Sequence, residues 1–208
     1  METKSSKPGQ KTHVLILAGG NSERMGFPKP FLPAGEKTLI ETIVSIYERY
    51  FSEIFVVLNA GFSTGKWSTY ANRLAEKTTL ILNPDPERGK FYSLQLGLSQ
   101  MQDADYCFIQ PTDNPVNAET IGLIADHKNP DGYTVPSFEV RTGHPILISS
   151  PIMEDIRKAP DSDQHLAEFL RGYNRRIVET ADPFVLINLN TATDFARFIA
   201  SSHANVYS

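Results

Sequence analysis

A short segment near the start of the chain combines glycines with two basic residues at a spacing that suits phosphate binding. It follows the apolar run Val14-Leu15-Ile16-Leu17, which reads as a buried strand, and its polar and glycine positions are Gly19, Gly20, Ser22, Arg24, Gly26 and Lys29. Glycines let backbone N–H groups approach an anion closely, while Arg and Lys add positive charge at short range. The alternative is a glycine turn with two solvated cations, but the combined spacing favours a phosphate site.

Two common phosphate-binding motifs are absent from the sequence. There is no G-x-x-x-x-G-K-[ST] segment and no G-x-G-x-x-G segment. The nearest string, Gly61-Phe62-Ser63-Thr64-Gly65-Lys66-Trp67, has the wrong spacing, and we expect it to form a loop. The phosphate site at residues 19–29 is therefore of another kind.

A candidate metal ligand follows a second apolar run. Asp113 comes just after the strand predicted over Tyr106–Gln110, and Pro111 and Pro115 fix the chain on either side of it. Ligands of open α/β sheets bind outside the carboxyl ends of strands, and Mg²⁺ takes one or two carboxylates together with substrate phosphates. The residues alone leave a second interpretation open, in which Asp113 forms an Asx turn or caps a helix near Asn117.

The glycine segment resembles a known family. Residues 17–29 match the pattern L-A-[AG]-G-x-S-x-R-M-G-x-x-K at every specified position, which is similar to the molybdenum cofactor guanylyl- and cytidylyltransferases. The resemblance covers roughly residues 12 to 200 and places Asp113 in the family's D-x-P position. It implies an enzyme that moves a nucleoside monophosphate from an NTP to the phosphate of molybdopterin, with Mg²⁺ and release of pyrophosphate. The implied nucleotide-binding residues of the loop are Leu17, Ala18, Gly19, Gly20 and Ser22, and the implied catalytic residues are Arg24, Lys29 and the metal ligand Asp113.

Further nucleotide contacts are implied after two other strands. Asn59 follows Phe55-Val56-Val57-Leu58, and Asn83 follows Thr79-Leu80-Ile81-Leu82, where the family binds nucleotide. Each could instead be a turn asparagine. The segment Ser93-Leu94-Gln95-Leu96-Gly97-Leu98 resembles the S-L-x-x-G-L helix of the cytidylyl branch, so Ser93 is expected at a helix N-terminus that faces phosphate. A plain amphipathic helix accounts for the same residues.

The second half of the chain supplies the expected acceptor-binding residues. Gly143-His144-Pro145 resembles the G-H-P motif of the cytidylyl branch, although a lone His beside a strand can also be structural. Asn188 and Asn190 lie in a segment that resembles N-x-N-T-P-E of the guanylyl branch and D-x-D-T-P-E-D of the cytidylyl branch. This chain has Asn at both acidic positions and Ala192 in place of Pro, so a second metal carboxylate is missing there and Asn190 could offer only its amide oxygen.

Motifs of the cytidylyl branch and motifs of the guanylyl branch both occur in this chain, so the two sets conflict over the nucleotide. We favour CTP over GTP. A second hypothesis keeps the chemistry but changes the acceptor to a sugar or polyol phosphate, since fold does not decide substrate. A third is a non-catalytic nucleotide-binding protein that delivers a cofactor. The resemblance further implies a molybdoenzyme or its chaperone as a protein partner.

Composition and net charge argue against several other classes of protein. The chain has 208 residues and a net charge of −4, which argues against nucleic-acid binding, and no apolar stretch approaches the roughly 20 residues of a membrane span. The single cysteine, Cys107, lies in an apolar run, which fits a reducing compartment, so we expect a cytoplasmic protein. Residues 1–11 are predicted to be a disordered tail, and residues 12–202 one nucleotidyltransferase domain.

The order of the predicted elements indicates the fold. Strands alternate with amphipathic helices up to about residue 128, which predicts a single Rossmann-like α/β domain with a mostly parallel sheet and helices on both faces. Residues 12–128 are the expected nucleotide-binding half, with a helix predicted over Thr38–Tyr50 whose first residues, Thr38-Leu39-Ile40-Glu41, fit a capping box. Residues 129–202 are expected to complete the sheet and to bind the acceptor, with strands over Tyr133–Val140, Pro145–Ile148 and Arg176–Glu179 and helices over Pro151–Lys158, Gln164–Arg171 and Ala192–Ser201.

Overall fold

The structure, a computed structural model, describes residues 10–22, 26–160 and 164–201. Eight of its strands form one sheet and two form a small hairpin. In chain order the strands are β1 (Thr12–Ala18), β2 (Pro33–Ala34), β3 (Lys37–Thr38), β4 (Ile54–Asn59), β5 (Thr79–Asn83), β6 (Tyr106–Pro111), β7 (Gly132–Phe138), β8 (Arg141–Thr142), β9 (Ile146–Ser149) and β10 (Asn174–Glu179). The α-helices are α1 (Leu39–Tyr47), α2 (Ser68–Ala75), α3 (Gly89–Ser99), α4 (Ala118–Asp126), α5 (Ser150–Lys158), α6 (Leu166–Phe169) and α7 (Ala192–Ala200).

The strand order of the sheet determines where a ligand can bind. The order is β10-β7-β9-β6-β1-β4-β5, with β8 paired to β7. After β1 the chain builds β4 and β5 on one side and then returns to place β6 on the other side of β1. The carboxyl ends of β1 and β6 therefore lie side by side at the point where the order reverses, which is where open α/β sheets bind ligands.

The sheet is mostly parallel. Strands β6, β1, β4 and β5 are mutually parallel, β10 is parallel to β7, and β9 runs antiparallel to both β6 and β7. Near-continuous apolar runs such as Val14-Leu15-Ile16, all fully buried, are typical of parallel strands that are covered on both faces. Two apolar clusters cover the two faces, one with α1, α2, α4 and α7 and the other with α3 and α5. The predicted α/β fold class is confirmed, and the second half of the chain completes the same sheet.

Local sequence signals explain the start of α1. The Thr38 hydroxyl accepts a hydrogen bond from the Glu41 backbone N–H, and the Glu41 carboxylate accepts one from the Thr38 N–H at 2.8 Å. This capping box satisfies two helix-end groups that would otherwise lack partners. The helix predicted from Thr38 is therefore present, although it ends earlier than expected.

Three predicted boundaries are wrong. The third long helix begins at Gly89, so Ser93 lies one turn inside it and not at its N-terminus. The strand predicted over Tyr133–Val140 ends at Phe138, because a tight turn at Glu139 and Val140 leads into β8. The helix predicted over Gln164–Arg171 is the short α6 followed by a 3₁₀ turn. Turns that depend on tertiary packing were not visible in the hydrophobic pattern.

Within the described ranges, no helix combines the length and the apolar character that crossing a membrane requires.

Lys11, the last residue of the predicted tail, is paired with the start of β6. Its N–H donates to the Asp105 carboxylate at 2.7 Å, and its carbonyl accepts from the N–H groups of Asp105 and Tyr106. Residues 1–9 of that predicted tail lie outside the described residues. The boundaries at residues 12, 128 and 202 stay predictions.

Candidate active site

The segment after β1 forms one wall of a cleft. The space around Gly19 is tight, because a Cβ atom there would lie 2.6 Å from the Ser93 Oγ and 3.1 Å from the Asn83 Nδ2. Gly20 faces open space. Ser22 has a φ of 56°, and its hydroxyl accepts a 3.0 Å hydrogen bond from the Lys29 N–H, which closes the loop. Arg24, a predicted catalytic residue, lies outside the described residues.

The cleft is lined by residues from four parts of the chain and has a volume of about 420 Å³. We call it the Asp113 cleft. The predicted site residues that it brings together are Leu17, Ala18, Gly19, Gly20, Ser22, Lys29, Ser93, Asp113 and Asn190. Residues scattered over the whole sequence thus meet at the carboxyl ends of β1 and β6, as the strand order requires.

Asp113 is the centre of charge in this cleft. Its carboxylate Oδ2 lies 3.5 Å from the Lys29 Nζ and 3.4 Å from the Lys90 Nζ. Burial, to 8 % exposure, would raise the pKa of Asp113, but the ammonium groups of Lys90 and Lys29 outweigh burial and hold that pKa below its ordinary value. The carboxylate is therefore ionised at neutral pH, and it lies against two cations that can also bind phosphate.

Lys90 was missed by the sequence analysis. The sequence predicts a helix that begins only at Ser93, whereas the structure places Lys90 in the first turn of α3. Its side chain is 79 % exposed, compared with 15 % for Lys29. The sequence signal for Lys90 was the glycine that precedes it. In the structure Gly89 has a φ of 84°, which favours glycine.

Asn59 and Asn83 are engaged with neighbouring protein groups. The Asn59 side-chain oxygen Oδ1 caps a 3₁₀ turn by accepting from the Gly61 N–H, and its side-chain Nδ2 donates to the Asn21 Oδ1 at 2.9 Å. The fully buried Asn83 donates to the Ser93 hydroxyl at 3.1 Å and accepts from the Asp85 N–H. Neither lines the Asp113 cleft, so their predicted contacts with nucleotide stay predictions, and both fit the turn interpretation.

The segment that carries the two late asparagines lies against the Asp113 loop. The Leu189 N–H donates to the Asp113 carbonyl at 2.7 Å, and the Asn114 amide donates to the Asn188 side chain at 3.2 Å. Asn190 faces the Asp113 cleft, whereas Asn188 lines a different cavity. The two asparagines therefore line different cavities.

That second cavity contains His144 and has a volume of about 350 Å³. We call it the His144 cavity. Its polar lining includes Arg141, Arg175 and Asn188, and the sequence analysis missed both arginines. The exposed arginines give the cavity a basic rim that suits an anionic ligand.

His144 is held in a close-packed turn. A Cβ on Gly143 would lie 1.8 Å from the Val185 carbonyl oxygen, which explains the glycine of this motif, and the His144 N–H donates to the same carbonyl at 2.9 Å. Burial lowers the pKa of His144 to about 4; the Asp113 carboxylate raises that pKa and Lys90 lowers it further. The imidazole is therefore neutral at neutral pH, and its buried Nδ1 has no hydrogen-bond partner among the described residues.

A larger cavity, of about 820 Å³, lies at the opposite end of the sheet. Lys11, Arg49, Glu53, Asp103 and Lys128 are among the residues that line it, and no predicted site residue does. It opens at the amino ends of β1, β4 and β6, away from the end where ligands of this fold bind. The Asp113 cleft is therefore the better candidate active site.

The oxygen ligands of the Asp113 cleft fit a magnesium ion that would be bound together with a substrate phosphate. Among the residues that the structure describes, no group of three or more His, Cys, Asp or Glu side chains could hold a metal. Asp113 offers a buried, ionised carboxylate and Asn190 an amide oxygen. Oxygen ligands and few protein carboxylates are what Mg²⁺ uses beside substrate phosphates.

Comparisons with known proteins identify the family of this chain. The family model described as the MobA-like NTP transferase domain matches residues 14–179. The chain is 28 % identical over 183 residues to the molybdenum cofactor cytidylyltransferase of Escherichia coli K12, covering 87 % of this chain and 92 % of that protein. It is 47 % identical over 53 residues, 24 % of each chain, to a probable molybdenum cofactor guanylyltransferase of Peptoclostridium acidaminophilum.

Solved structures share the fold. The crystal structure of Rv0371c from Mycobacterium tuberculosis H37Rv matches with a TM-score of 0.79 at 22 % identity, covering 92 % of this chain and 99 % of that one. A structure of the same protein in complex with manganese matches with a TM-score of 0.69 at 19 % identity, over 92 % and 99 % of the two chains. The predicted relationship to the molybdenum cofactor nucleotidyltransferases is confirmed, and nucleotidyltransferase activity is supported. The chain belongs to the MobA-like NTP transferase family.

Proposed function

We propose that the protein is a magnesium-dependent nucleotidyltransferase that moves a nucleoside monophosphate from an NTP to the phosphate of a molybdopterin-type cofactor. The observation that carries this proposal is the contact of two lysines, Lys29 and Lys90, with one buried carboxylate, Asp113, at the mouth of a glycine loop. Such an arrangement binds a polyanion and a divalent cation together. It needs no general base, because a phosphate nucleophile is already ionised near neutral pH.

The residues of the cleft have separate roles in this proposal. The backbone N–H groups of Gly19 and Gly20 and the Lys29 ammonium bind the triphosphate, and Arg24 contributes a further cation. Asp113 and the Asn190 amide oxygen would hold Mg²⁺, which would supply positive charge to neutralise the charge that develops in the reaction. Catalysis then depends on positioning and charge neutralisation.

The acceptor is proposed to occupy the His144 cavity. Its basic rim, formed by Arg141 and Arg175, suits an anionic pterin phosphate, and Asn188 and the neutral His144 add polar contacts. CTP is favoured over GTP, because similarity to the cytidylyltransferase extends over 87 % of the chain while similarity to the guanylyltransferase covers 24 %. A molybdoenzyme or its chaperone as partner and a cytoplasmic location complete the proposal.

Nucleotide choice can be tested by thermal stabilisation with each of the four common NTPs, with and without Mg²⁺. A ligand that binds only the folded state adds about 2.7 kcal/mol at 100 times its dissociation constant. We expect a magnesium-dependent shift with CTP. A shift with GTP alone would reverse the base assignment, and no shift with any nucleotide would contradict a nucleotide site in the Asp113 cleft.

The acceptor can be tested by pyrophosphate release from the preferred NTP. We expect release with molybdopterin and none with sugar or polyol phosphates. Release with a sugar or polyol phosphate and not with molybdopterin would support the alternative acceptor. Nucleotide binding without release under any of these conditions would support a cofactor-delivery protein.

A further inference from the structure

One polar side chain lies in the middle of the sheet, where packing alone would favour an apolar residue. Gln110 belongs to β6, a strand whose residues are all buried, and it is 0 % exposed. It lies opposite Ile16 of β1. Strands covered on both faces are built mainly from apolar residues, and burying an amide costs free energy unless its polar groups are bonded. The bonds that Gln110 makes therefore indicate its role.

The Gln110 amide joins the two ends of the turn that carries Asp113. Its Nε2 donates to the Pro111 carbonyl oxygen at 2.7 Å and to the Asn114 carbonyl oxygen at 2.8 Å. The Asn114 N–H also donates to the Pro111 carbonyl oxygen at 3.2 Å, which closes a four-residue turn with Asp113 as its third residue. A single buried side chain thus fixes the first and the last residue of this turn.

The Gln110 side chain is itself held by a helix on one face of the sheet. Tyr47, the fully buried last residue of α1, donates its hydroxyl to the Gln110 Oε1 at 3.0 Å. The two carbonyl oxygens of the turn can bond only the donor side of the amide, so the partners of Gln110 determine which way the amide faces. A chain of hydrogen bonds therefore connects α1 with the turn.

The turn is bonded to two other parts of the chain. The Asp113 carbonyl oxygen accepts from the Leu189 N–H at 2.7 Å, and the Thr112 hydroxyl donates to the Leu17 carbonyl oxygen at 2.5 Å. These bonds attach the turn to its neighbours, whereas Gln110 bonds the turn to itself. Without the Gln110 bonds the turn could change shape, and the Asp113 carboxylate would move relative to the two lysines that it contacts.

We infer that Gln110 is a positioning residue of the candidate active site: its amide, oriented by Tyr47, holds the turn in the shape that presents the Asp113 carboxylate to the cleft. This inference rests on the proposed function, in which that carboxylate is a metal ligand. A ligand that is already in place loses little conformational freedom when the metal binds. Groups that orient metal ligands contribute about 10- to 100-fold to metal affinity or activity.

The test compares Gln110→Met with Gln95→Met in pyrophosphate release at varied Mg²⁺ concentration. Gln95 is a matched control, because its Nε2 also donates to two backbone carbonyls, those of Ile156 at 3.0 Å and Ala159 at 2.9 Å. We expect Gln110→Met to raise the Mg²⁺ concentration for half-maximal turnover about 10- to 100-fold, with the KM for the acceptor within about twofold of the wild type. Gln95→Met loses the same kind of bonds and should keep the magnesium requirement of the wild type.

Tyr47→Phe is a second variant that decides the question if Gln110→Met fails to fold. It removes one buried hydroxyl and leaves both Nε2 bonds of Gln110 in place, so the magnesium requirement should rise by about threefold. Magnesium requirements equal to that of the wild type in the folded variants would overturn the inference. Equal rises in Gln110→Met and Gln95→Met would also overturn it, because they would reflect a general loss of stability.

An equilibrium measurement separates this inference from the proposed function. The probes are the Mn²⁺ complexes of non-hydrolysable CTP and GTP analogues, titrated into the protein by calorimetry, with Asp113→Asn as the reference that lacks the carboxylate charge. We expect Gln110→Met to weaken the binding that depends on Asp113, and Gln95→Met to bind as the wild type does. If the wild type shows this binding but releases no pyrophosphate, the transferase proposal fails, and weaker binding by Gln110→Met still supports the role of Gln110. Equal binding by Gln110→Met and the wild type, or no binding that depends on Asp113, would overturn that role.

Discussion

The backbone N–H of Leu189 donates a 2.7 Å hydrogen bond to the carbonyl oxygen of Asp113. This bond ties the segment before α7 to the loop after β6. Asn190 lines the same cleft as Asp113, although the two residues are far apart in sequence. The candidate site is thus closed by the last part of the chain, and several of its properties can be tested by substitution.

Asp113→Asn should abolish pyrophosphate release and leave the fold intact. The substitution removes the charge that would hold Mg²⁺ but keeps the backbone bond to Leu189. Turnover should fall by about 10³-fold or more, since a charged group in the site is lost. Circular dichroism should be unchanged. Asp103→Asn, at an exposed ion pair with Lys11, is the matched control and should keep full activity; an active, folded Asp113→Asn would exclude Asp113 as the metal ligand.

Lys29→Met should lower kcat/KM for the NTP by about 10²- to 10³-fold, because one preorganised cation on the phosphates is lost. Methionine fits the largely buried position, and the backbone bond from the Lys29 N–H to Ser22 is retained. Steady-state kinetics with varied NTP measures the effect. Near-normal turnover would remove Lys29 from the site.

The adjacent glycines after β1 should respond differently to alanine. Gly19→Ala places a Cβ against Ser93 and disturbs its bond with Asn83, so we expect a loss of about 1–2 kcal/mol in the free energy of unfolding and weaker NTP binding. Gly20→Ala, which meets no atom within 4 Å, is the control and should change stability by less than about 0.5 kcal/mol. Equal stabilities in urea denaturation would contradict the tight packing at Gly19.

His144 should make stability depend on pH in a defined window. Its pKa is lowered from 6.5 to about 4, so below pH 6.5 the unfolded state binds a proton that the folded state does not. The free energy of unfolding should therefore fall as the pH falls from 6.5 to about 4, by up to about 3 kcal/mol. His144→Gln should remove this component, whereas His127→Gln, at an exposed position, should retain it. Parallel pH profiles for the wild type and His144→Gln would contradict a buried neutral imidazole.

Asn190→Asp should lower the Mg²⁺ concentration that gives half-maximal turnover, by about fivefold, because a second carboxylate joins Asp113 in the cleft. Asn188→Asp is the matched control, since Asn188 lines the His144 cavity and should leave the magnesium requirement unchanged. Titration of Mg²⁺ in the pyrophosphate assay measures both. If both substitutions lower the required Mg²⁺ concentration equally, the effect comes from added negative charge and not from a metal ligand at position 190.

The sequence by itself determined the parts of this protein that depend on local pattern. Apolar runs covered on both faces predicted β1 and β6, and the Thr38–Glu41 capping box predicted the start of α1. The spacing of glycines and Lys29 after β1 predicted one wall of the cleft, and the position of Asp113 after β6 predicted the opposite wall. These features are visible because neighbours in sequence are also neighbours in space.

Only the tertiary structure decided which distant residues meet. The return of β6 to the far side of β1 brings Asp113 to the glycine loop, and the true start of α3 at Gly89 brings Lys90 to the same carboxylate. Packing also brings Asn83 to its partner Ser93 and places Asn188 and Asn190 in different cavities. The sequence around an exposed lysine looks the same whether or not that lysine has an ion-pair partner. Strand order and helix packing decide which distant charges come into contact, and local spacing does not.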